Sequence, residues 1–312
     1  MNKENYKIMF NDEIKKIIKE SLGNKDINNI EVMKAGMTND SFIFKNGNER
    51  YVFRFPGDGT EFLINRKNEK AAYAIIENKN ICDAPIYINE KNGYKISKYI
   101  ENVRVCNPYC DSDLKLCMDK LREFHSLKLK VDFHFDIYER LEFYQSLWQT
   151  EKSAYIDYED TKRNVLKLKQ FIKDNVEEII LCHIDAVSDN FLIYKDSDGN
   201  ELVQLNDWEY AGMQDPDVDV AMFCIYSMLD KEEIDNVINI YFNDGIEYIK
   251  KLKIYAYIAL CGLLWSNWCE FKIQLGFVFG EYAPRQYYYA KEFYKIVKSE
   301  LTRLGLNENY GI

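Results

Sequence analysis

The feature that most constrains this chain is residues 181–209, LCHIDAVSDNFLIYKDSDGNELVQLNDWE. Two short apolar runs are joined there by the turn Asp198-Gly199, a pattern that predicts a β-hairpin. The open ends of a hairpin lie side by side, so Asn190 and Asp207 are expected within reach of one ion, with Asp185 beside them. An amide and a carboxylate oxygen suit Mg²⁺ when phosphates and water complete its octahedron. A second aspartate, not committed to the metal, can accept or orient the proton of an attacking hydroxyl. Twenty-two residues separate Asp185 from Asp207, enough for one hairpin and little else.

Charge and cysteine usage narrow the classes. A net charge of −10 argues against nucleic acid as a partner, because phosphate binding needs concentrated Lys and Arg. It suits a cationic small molecule, and equally it serves solubility alone. The eight cysteines show no Cys-x-x-Cys spacing, and the histidines at 125, 134 and 183 do not complete a zinc pattern with Cys106, Cys110 and Cys117. Reduced thiols of a cytoplasmic protein are the expectation. The first residues mix acids with lysines and lack an apolar core, unlike a signal peptide. The longest apolar run, 254–265, is too short for membrane insertion.

Residues 10–22 have helical periodicity, with Ile14, Ile17, Ile18 and Leu22 on one face and Gly23 as the stop. Between 30 and 55 the period changes to strands, with Asn46-Gly47 as a turn. Gly36, Thr38 and Asn39 form a turn whose N–H groups can lie over phosphates, although Gly36 reads equally as a plain hairpin glycine. Residues 61–77 read as a helix with Phe62, Leu63, Ala71, Ile75 and Ile76 apolar, and Glu69 in a position to pair with Arg54. Two further strands, 85–89 and 94–99, surround Lys91-Asn92-Gly93. Tyr99-Ile100-Glu101 then crosses from a small sheet lobe, 1–100, to a larger helical lobe, 101–312. Helices are expected at 111–128, 135–148, 157–175, 232–243 and 247–275, with a last one through 304.

Asp217 and Asp219 bracket the start of another, apolar helix, where carboxylates cap free N–H groups. Asp219 is in addition placed to hydrogen-bond the 183–185 loop from below. His125 and His134 are read as structural. Trp265 and Trp268 share a helix face and, with Tyr282, can wall an aromatic box for a quaternary ammonium. Core packing is the other reading of those aromatics.

His183-Ile184-Asp185 through Asn190, followed by Asp207, has the layout of a kinase catalytic loop and its metal-binding aspartate. With Asp207-Trp208-Glu209-Tyr210 and Asp217-Val218-Asp219, it resembles the choline/ethanolamine kinases, which share the fold of aminoglycoside phosphotransferases and protein kinases. Gly36-Met37-Thr38-Asn39, the strand reaching Arg54-Phe55-Pro56-Gly57, Asn65-Arg66 and Glu69 are similar to the bacterial choline kinases. Trp265-Ser266-Asn267-Trp268 and Phe279-Gly280-Glu281-Tyr282-Ala283 match that family's Trp-x-x-Trp helix and the tyrosine segment after it. The resemblance spans about 30 to about 300.

The resemblance implies an α+β, bilobal protein kinase-like fold with a β-rich N-lobe and a mostly helical C-lobe, using ATP and Mg²⁺. Asp185 would orient or deprotonate the substrate hydroxyl. Asn190 and Asp207 would hold the metal, with Glu209 an outer partner. Arg54, held by Glu69, would replace the usual kinase lysine on the phosphates. Gly36, Thr38 and Asn39 would cover the triphosphate, and Tyr99, Ile100 and Glu101 would lie beside the adenine. Trp265, Trp268 and Tyr282 would line a trimethylammonium pocket, with Tyr226 a further candidate. Two positions depart from the family: Ile184 stands where many relatives have Asn or Gly, and residues 186–189 lack the Pro often found there. The expected reaction is in-line phosphoryl transfer from ATP to the hydroxyl of choline. The alternatives are ethanolamine or an aminoglycoside as acceptor, or a non-catalytic protein that binds choline or nucleotide.

Overall fold

The computed structural model describes residues 10–23, 26–33, 39–57, 60, 62–243 and 245–312. The chain divides into two units, Met1–Arg104 with Leu192–Tyr210, and Val105–Phe191 with Ala211–Ile312.

Alternating aromatics build the first unit. Strands β1 (Ile27–Val32), β2 (Asn39–Asn46), β3 (Glu49–Pro56), β4 (Tyr87–Ile88) and β5 (Lys95–Lys98) form an antiparallel sheet in the order β1-β2-β3-β5-β4. Every second residue of β2 and β3 faces one side, which stacks Phe42 on Phe53 at 5.2 Å and buries Phe44, Tyr51 and Phe55 with Ile96. Helix α1 (Asp12–Leu22) lays Ile14 and Ile18 onto that face. It starts where the Asn11 side chain accepts the Ile14 N–H at 3.0 Å.

Helix α2 (Arg66–Ile76) is shorter than the pattern predicts. The Asn65 side chain accepts from the N–H groups of Lys67 and Asn68 and starts the helix there. Leu63 and Ile64 are held instead in a turn on the Thr60 carbonyl, and Phe62 is 69% exposed rather than part of an apolar helix face. The central hairpin forms as expected from β8 (Phe191–Lys195) and β9 (Glu201–Leu205). The sequence groups it with the helical half. In the structure Leu205 N–H donates to the Ile81 carbonyl and Gln204 Oε1 accepts the Asp83 N–H, so residues 192–210 belong with the sheet.

After the short strand β6 (Arg104–Val105), the second unit is built from helices: α3 (Asp111–Ser126), α4 (Ile137–Ser146), α5 (Tyr158–Asp174), α6 (Asp217–Tyr226), α7 (Lys231–Tyr241), α8 (Tyr248–Gln274), α9 (Tyr282–Arg303) and α10 (Asn307–Tyr310). Strands β7 (Ile180–Cys182) and β10 (Gly212–Gln214) pair antiparallel among them, Leu181 opposite Met213. Helix α8 is apolar on nearly every side and is buried almost throughout, as such a helix must be. At Gly262 it approaches α9 so closely that a Cβ would meet the Gln286 carbonyl oxygen at 2.8 Å. No helix among the described residues is long and apolar enough to cross a membrane.

Candidate active site

In the first unit, charges of both signs gather on one side of β3. Arg54, on β3 and only 4% exposed, reaches Glu69 of α2 at 2.7 Å through Nη2 and Asp207 at 2.8 Å through Nη1. The expected Arg54–Glu69 pair is therefore present. Burial by itself disfavours the Arg54 charge, but Glu69, Asp207 and Glu209 together overcome that and hold the guanidinium above its ordinary value.

Two cations absent from the sequence reading of this site complete the cluster. Arg66 Nη1 donates at 2.9 Å to both Glu69 and Glu209. Lys95, opposite Arg54 in the β3–β5 register, donates to the Tyr73 hydroxyl at 2.7 Å and lies 3.4 Å from Asp207 and 3.7 Å from Glu69. Three carboxylates thus face three cations. The Asn65-Arg66 pair in the family pattern signals Arg66. Nothing in the sequence signals Lys95 until strand register is known.

Asn39 begins β2, buried, with Nδ2 donating to Glu209 at 2.8 Å and Oδ1 accepting from Arg66 at 3.2 Å. Burial, and then the neighbouring Asp207 charge, raises the Glu209 carboxyl, against the pull of Arg54 and Arg66. Gly93, in the turn before β5, has φ +71° and accepts from Arg54 Nη2 at 3.3 Å. A Cβ there would meet Arg66 Nε at 2.7 Å, so only glycine lets the arginine pass. Tyr99 stacks under the Arg50 guanidinium at 3.9 Å, Glu101 pairs with Arg50 at 3.0 Å, and Ile100 between them is half-buried. Gly36 and Thr38 lie outside the described residues.

In the second unit, β7 runs directly into Asp185. Asp219, at the start of α6, accepts the N–H of His183 at 2.8 Å and of Ile184 at 2.6 Å, the contact from below that its position suggests. The same carboxylate lies 3.0 Å from His125 Nε2, and His125 Nδ1 lies 2.7 Å from the Tyr241 hydroxyl. With the proton on Nε2, the Tyr241 hydroxyl donates to Nδ1, and the structural reading of His125 holds. His134 instead lies exposed, in a parallel bridge with Met213. Ile184 has φ +68°, in the left-handed region where Asn and Gly are at ease.

The turn Ser188–Asn190 brings the Asn190 amide back to Asp185, Nδ2 donating to its carbonyl at 2.8 Å and its carboxylate at 3.0 Å. With the nitrogen so used, Oδ1 is the atom that Asn190 could offer to a cation, an oxygen donor of the kind Mg²⁺ takes. Asp207 offers a carboxylate 26% exposed, and the donor chemistry fits the ion.

The aromatics form connected walls. Trp265 and Trp268 meet edge to face at 5.6 Å, Trp268 meets Phe279 at 5.3 Å, and Phe279 meets Tyr282 at 6.3 Å. Tyr226 and Tyr282 are T-shaped at 5.9 Å, and the Tyr226 hydroxyl donates to Asp189 at 2.9 Å. Burial first, and then nearby groups that include Asp185, raise both the Tyr282 and the Tyr226 hydroxyl. The Tyr226–Asp189 hydrogen bond ties this aromatic group to the turn that leads to Asn190. Phe279, quoted in the family segment without a role, is the wall between Trp268 and Tyr282.

A sequence profile of the choline/ethanolamine kinases matches residues 30–258. The chain belongs to the choline/ethanolamine kinase family. Protein LicA of Haemophilus influenzae is 28% identical over 266 residues, 80% of this chain and 96% of LicA. The crystal structure of the choline kinase LicA from Streptococcus pneumoniae aligns with a TM-score of 0.77 at 26% identity, over 91% of this chain and 98% of that one. A LicA structure in complex with AMP aligns at the same score with 27% identity, covering 91% of this chain and 97% of that one. This family member is accordingly a kinase of α+β, protein kinase-like fold, and its family implies a nucleotide site.

Proposed function

We propose that this kinase transfers the γ-phosphoryl group of ATP to the hydroxyl of choline. The observation that carries the choice of acceptor is the aromatic group built from Trp265, Trp268, Phe279, Tyr226 and Tyr282. A trimethylammonium has no N–H to donate, so it is bound by ring faces and low-polarity walls rather than by hydrogen-bonding acids. An aminoglycoside carries several ammonium groups and calls for a cluster of carboxylates instead.

Asp185 takes or orients the proton of the choline hydroxyl, and the Asn190 amide donating to its carboxylate fixes its direction. Asn190 Oδ1 and Asp207 would each offer an oxygen to Mg²⁺, with Glu209, held by Arg66 and Asn39, as an outer partner. Arg54 would face the nucleotide phosphates, oriented by Glu69. Tyr99, Ile100 and Glu101 would line the adenine side, while Asn39 supports Glu209 and Arg66 from the start of β2. Mg²⁺, when bound, neutralises phosphate charge. The chain's own contribution is positioning and electrostatics, which is most of what phosphoryl transfer asks of a protein.

Asp185→Asn is expected to abolish turnover while leaving the circular dichroism spectrum and the unfolding midpoint near the parent's. Parent-rate phosphorylation of choline by that variant would remove Asp185 from its role.

A further inference from the structure

The second unit holds a cavity that shares no residue with the groups assigned above. Its volume is about 350 Å³, within the usual range for small-molecule sites. Ile172, Val176, Ile179, Phe135 and Met213 give it apolar walls. Lys169 and Lys173 stand on its rim, four residues apart on one face of α5. Both are exposed, and neither belongs to an ion pair among the described residues. Lys169 Nζ instead lies 4.3 Å over the ring of Tyr138, another lining residue. The acid on the rim, Asp136, pairs with neither; its Oδ1 accepts the N–H groups of Tyr138 at 2.8 Å and Glu139 at 3.1 Å and caps α4. Two cations with no ion-pair partner among the described residues, above an apolar hollow, stand out in a chain of net charge −10.

We propose that this cavity binds a small amphipathic anion, a carboxylate on a hydrocarbon body. The head group lies between Lys169 and Lys173, and the hydrocarbon fills the space among Ile172, Val176, Ile179 and Met213. Each part of the lining excludes an alternative. A cationic head would be repelled by the lysines, and an inorganic anion would leave the apolar walls wet. Burying a hydrocarbon body is favourable by about 25 cal/mol per Å² of surface removed from water, which exposed lysines alone cannot supply. A folded helix of a partner protein, about 10 Å across, is too large for this volume.

The position has a consequence. Met213 lies on β10 opposite Leu181 of β7, and β7 leads straight into His183 and Asp185. An occupant therefore touches the strand pair that carries the catalytic loop while leaving the acceptor aromatics free, the position of an effector rather than a substrate.

The test uses the intact protein with methyl-labelled Ile and Met, titrated with octanoate and, separately, with octylammonium. Octanoate is expected to shift the Ile172, Ile179 and Met213 methyl resonances saturably, whereas octylammonium leaves them in place. The double variant Lys169→Glu/Lys173→Glu should bind octanoate at least roughly tenfold more weakly, with an unchanged unfolding midpoint. Filling the cavity with Ile172→Trp should abolish the shifts at Met213. The proposal is overturned if octanoate moves none of these methyls, if octylammonium binds equally well, or if the double variant keeps parent affinity. None of these readings depends on which alcohol the kinase phosphorylates.

Discussion

Asp219 is the residue on which the loop geometry turns. Its carboxylate receives two backbone N–H groups and the His125 ring nitrogen, and one of those N–H groups belongs to Ile184 in left-handed backbone. Holding an L-residue there costs on the order of 1–2 kcal/mol. A buried hydrogen bond to a charged acceptor contributes about 1.5–3 kcal/mol and offsets it. Ile184, fully buried, adds packing that Gly would lack. Asp219→Asn leaves a single acceptor oxygen for three donors and turns an amide N–H toward one of them. The expected outcome is a loss of about 2–3 kcal/mol in denaturant-unfolding stability, with a lowered kcat and KM values near the parent's. Unchanged kcat with that stability loss would mean that Asp219 supports the fold without positioning Asp185.

At the scale of elements, α8 carries the tryptophans proposed to bind the acceptor. It presents Trp265 and Trp268 on one face because they are three residues apart, and the close approach of Gly262 to Gln286 holds α8 against α9 one turn beyond Tyr282, the first residue of α9. Trp265→Ala with Trp268→Ala is expected to raise the KM for choline by roughly tenfold or more, taking about 1 kcal/mol of cation–π attraction per ring. The KM for ATP should change little. Equal increases in both would assign the tryptophans to packing alone. This helix was largely legible in the sequence, since its apolar run, its Trp spacing and its ends at Tyr248 and Gln274 lie within a residue of the pattern. The helix at Glu69 was not, because Phe62 and Leu63 continue the apolar pattern past the point where the Asn65 cap starts the helix. A hydrophobic period cannot tell a turn packed under a helix from one more turn of helix.

Across the whole molecule, the fold class follows from the family resemblance and the Arg54–Glu69 pair was expected, but the rest of the buried ionic cluster was not. Lys95 looks like a surface residue in the sequence, and Arg66 belongs to the family pattern with no partner named for it. Only the β3–β5 register and the turn at Gly93 place them against Asp207, Glu69 and Glu209. The second unit has a similar group in Lys253, which meets Asp215 at 2.6 Å and Asp217 at 3.0 Å. Burial, and then the Asp215 charge, push the Asp217 carboxyl from its ordinary 3.8 up to about 6 despite Lys253. A raised carboxyl binds its proton more tightly in the folded state, so its contribution to stability is complete below about 4 and is lost as pH rises through about 6. Asp217→Asn should flatten the fall in unfolding midpoint between those values relative to the parent. A parallel curve would show that the group titrates normally. Choline-directed phosphoryl transfer is tested most directly by supplying ATP and Mg²⁺ with choline, ethanolamine or kanamycin and weighing the product. Phosphocholine as the main product is the predicted result, whereas phosphorylation of ethanolamine or kanamycin in preference to choline, or of none of the three, would contradict it.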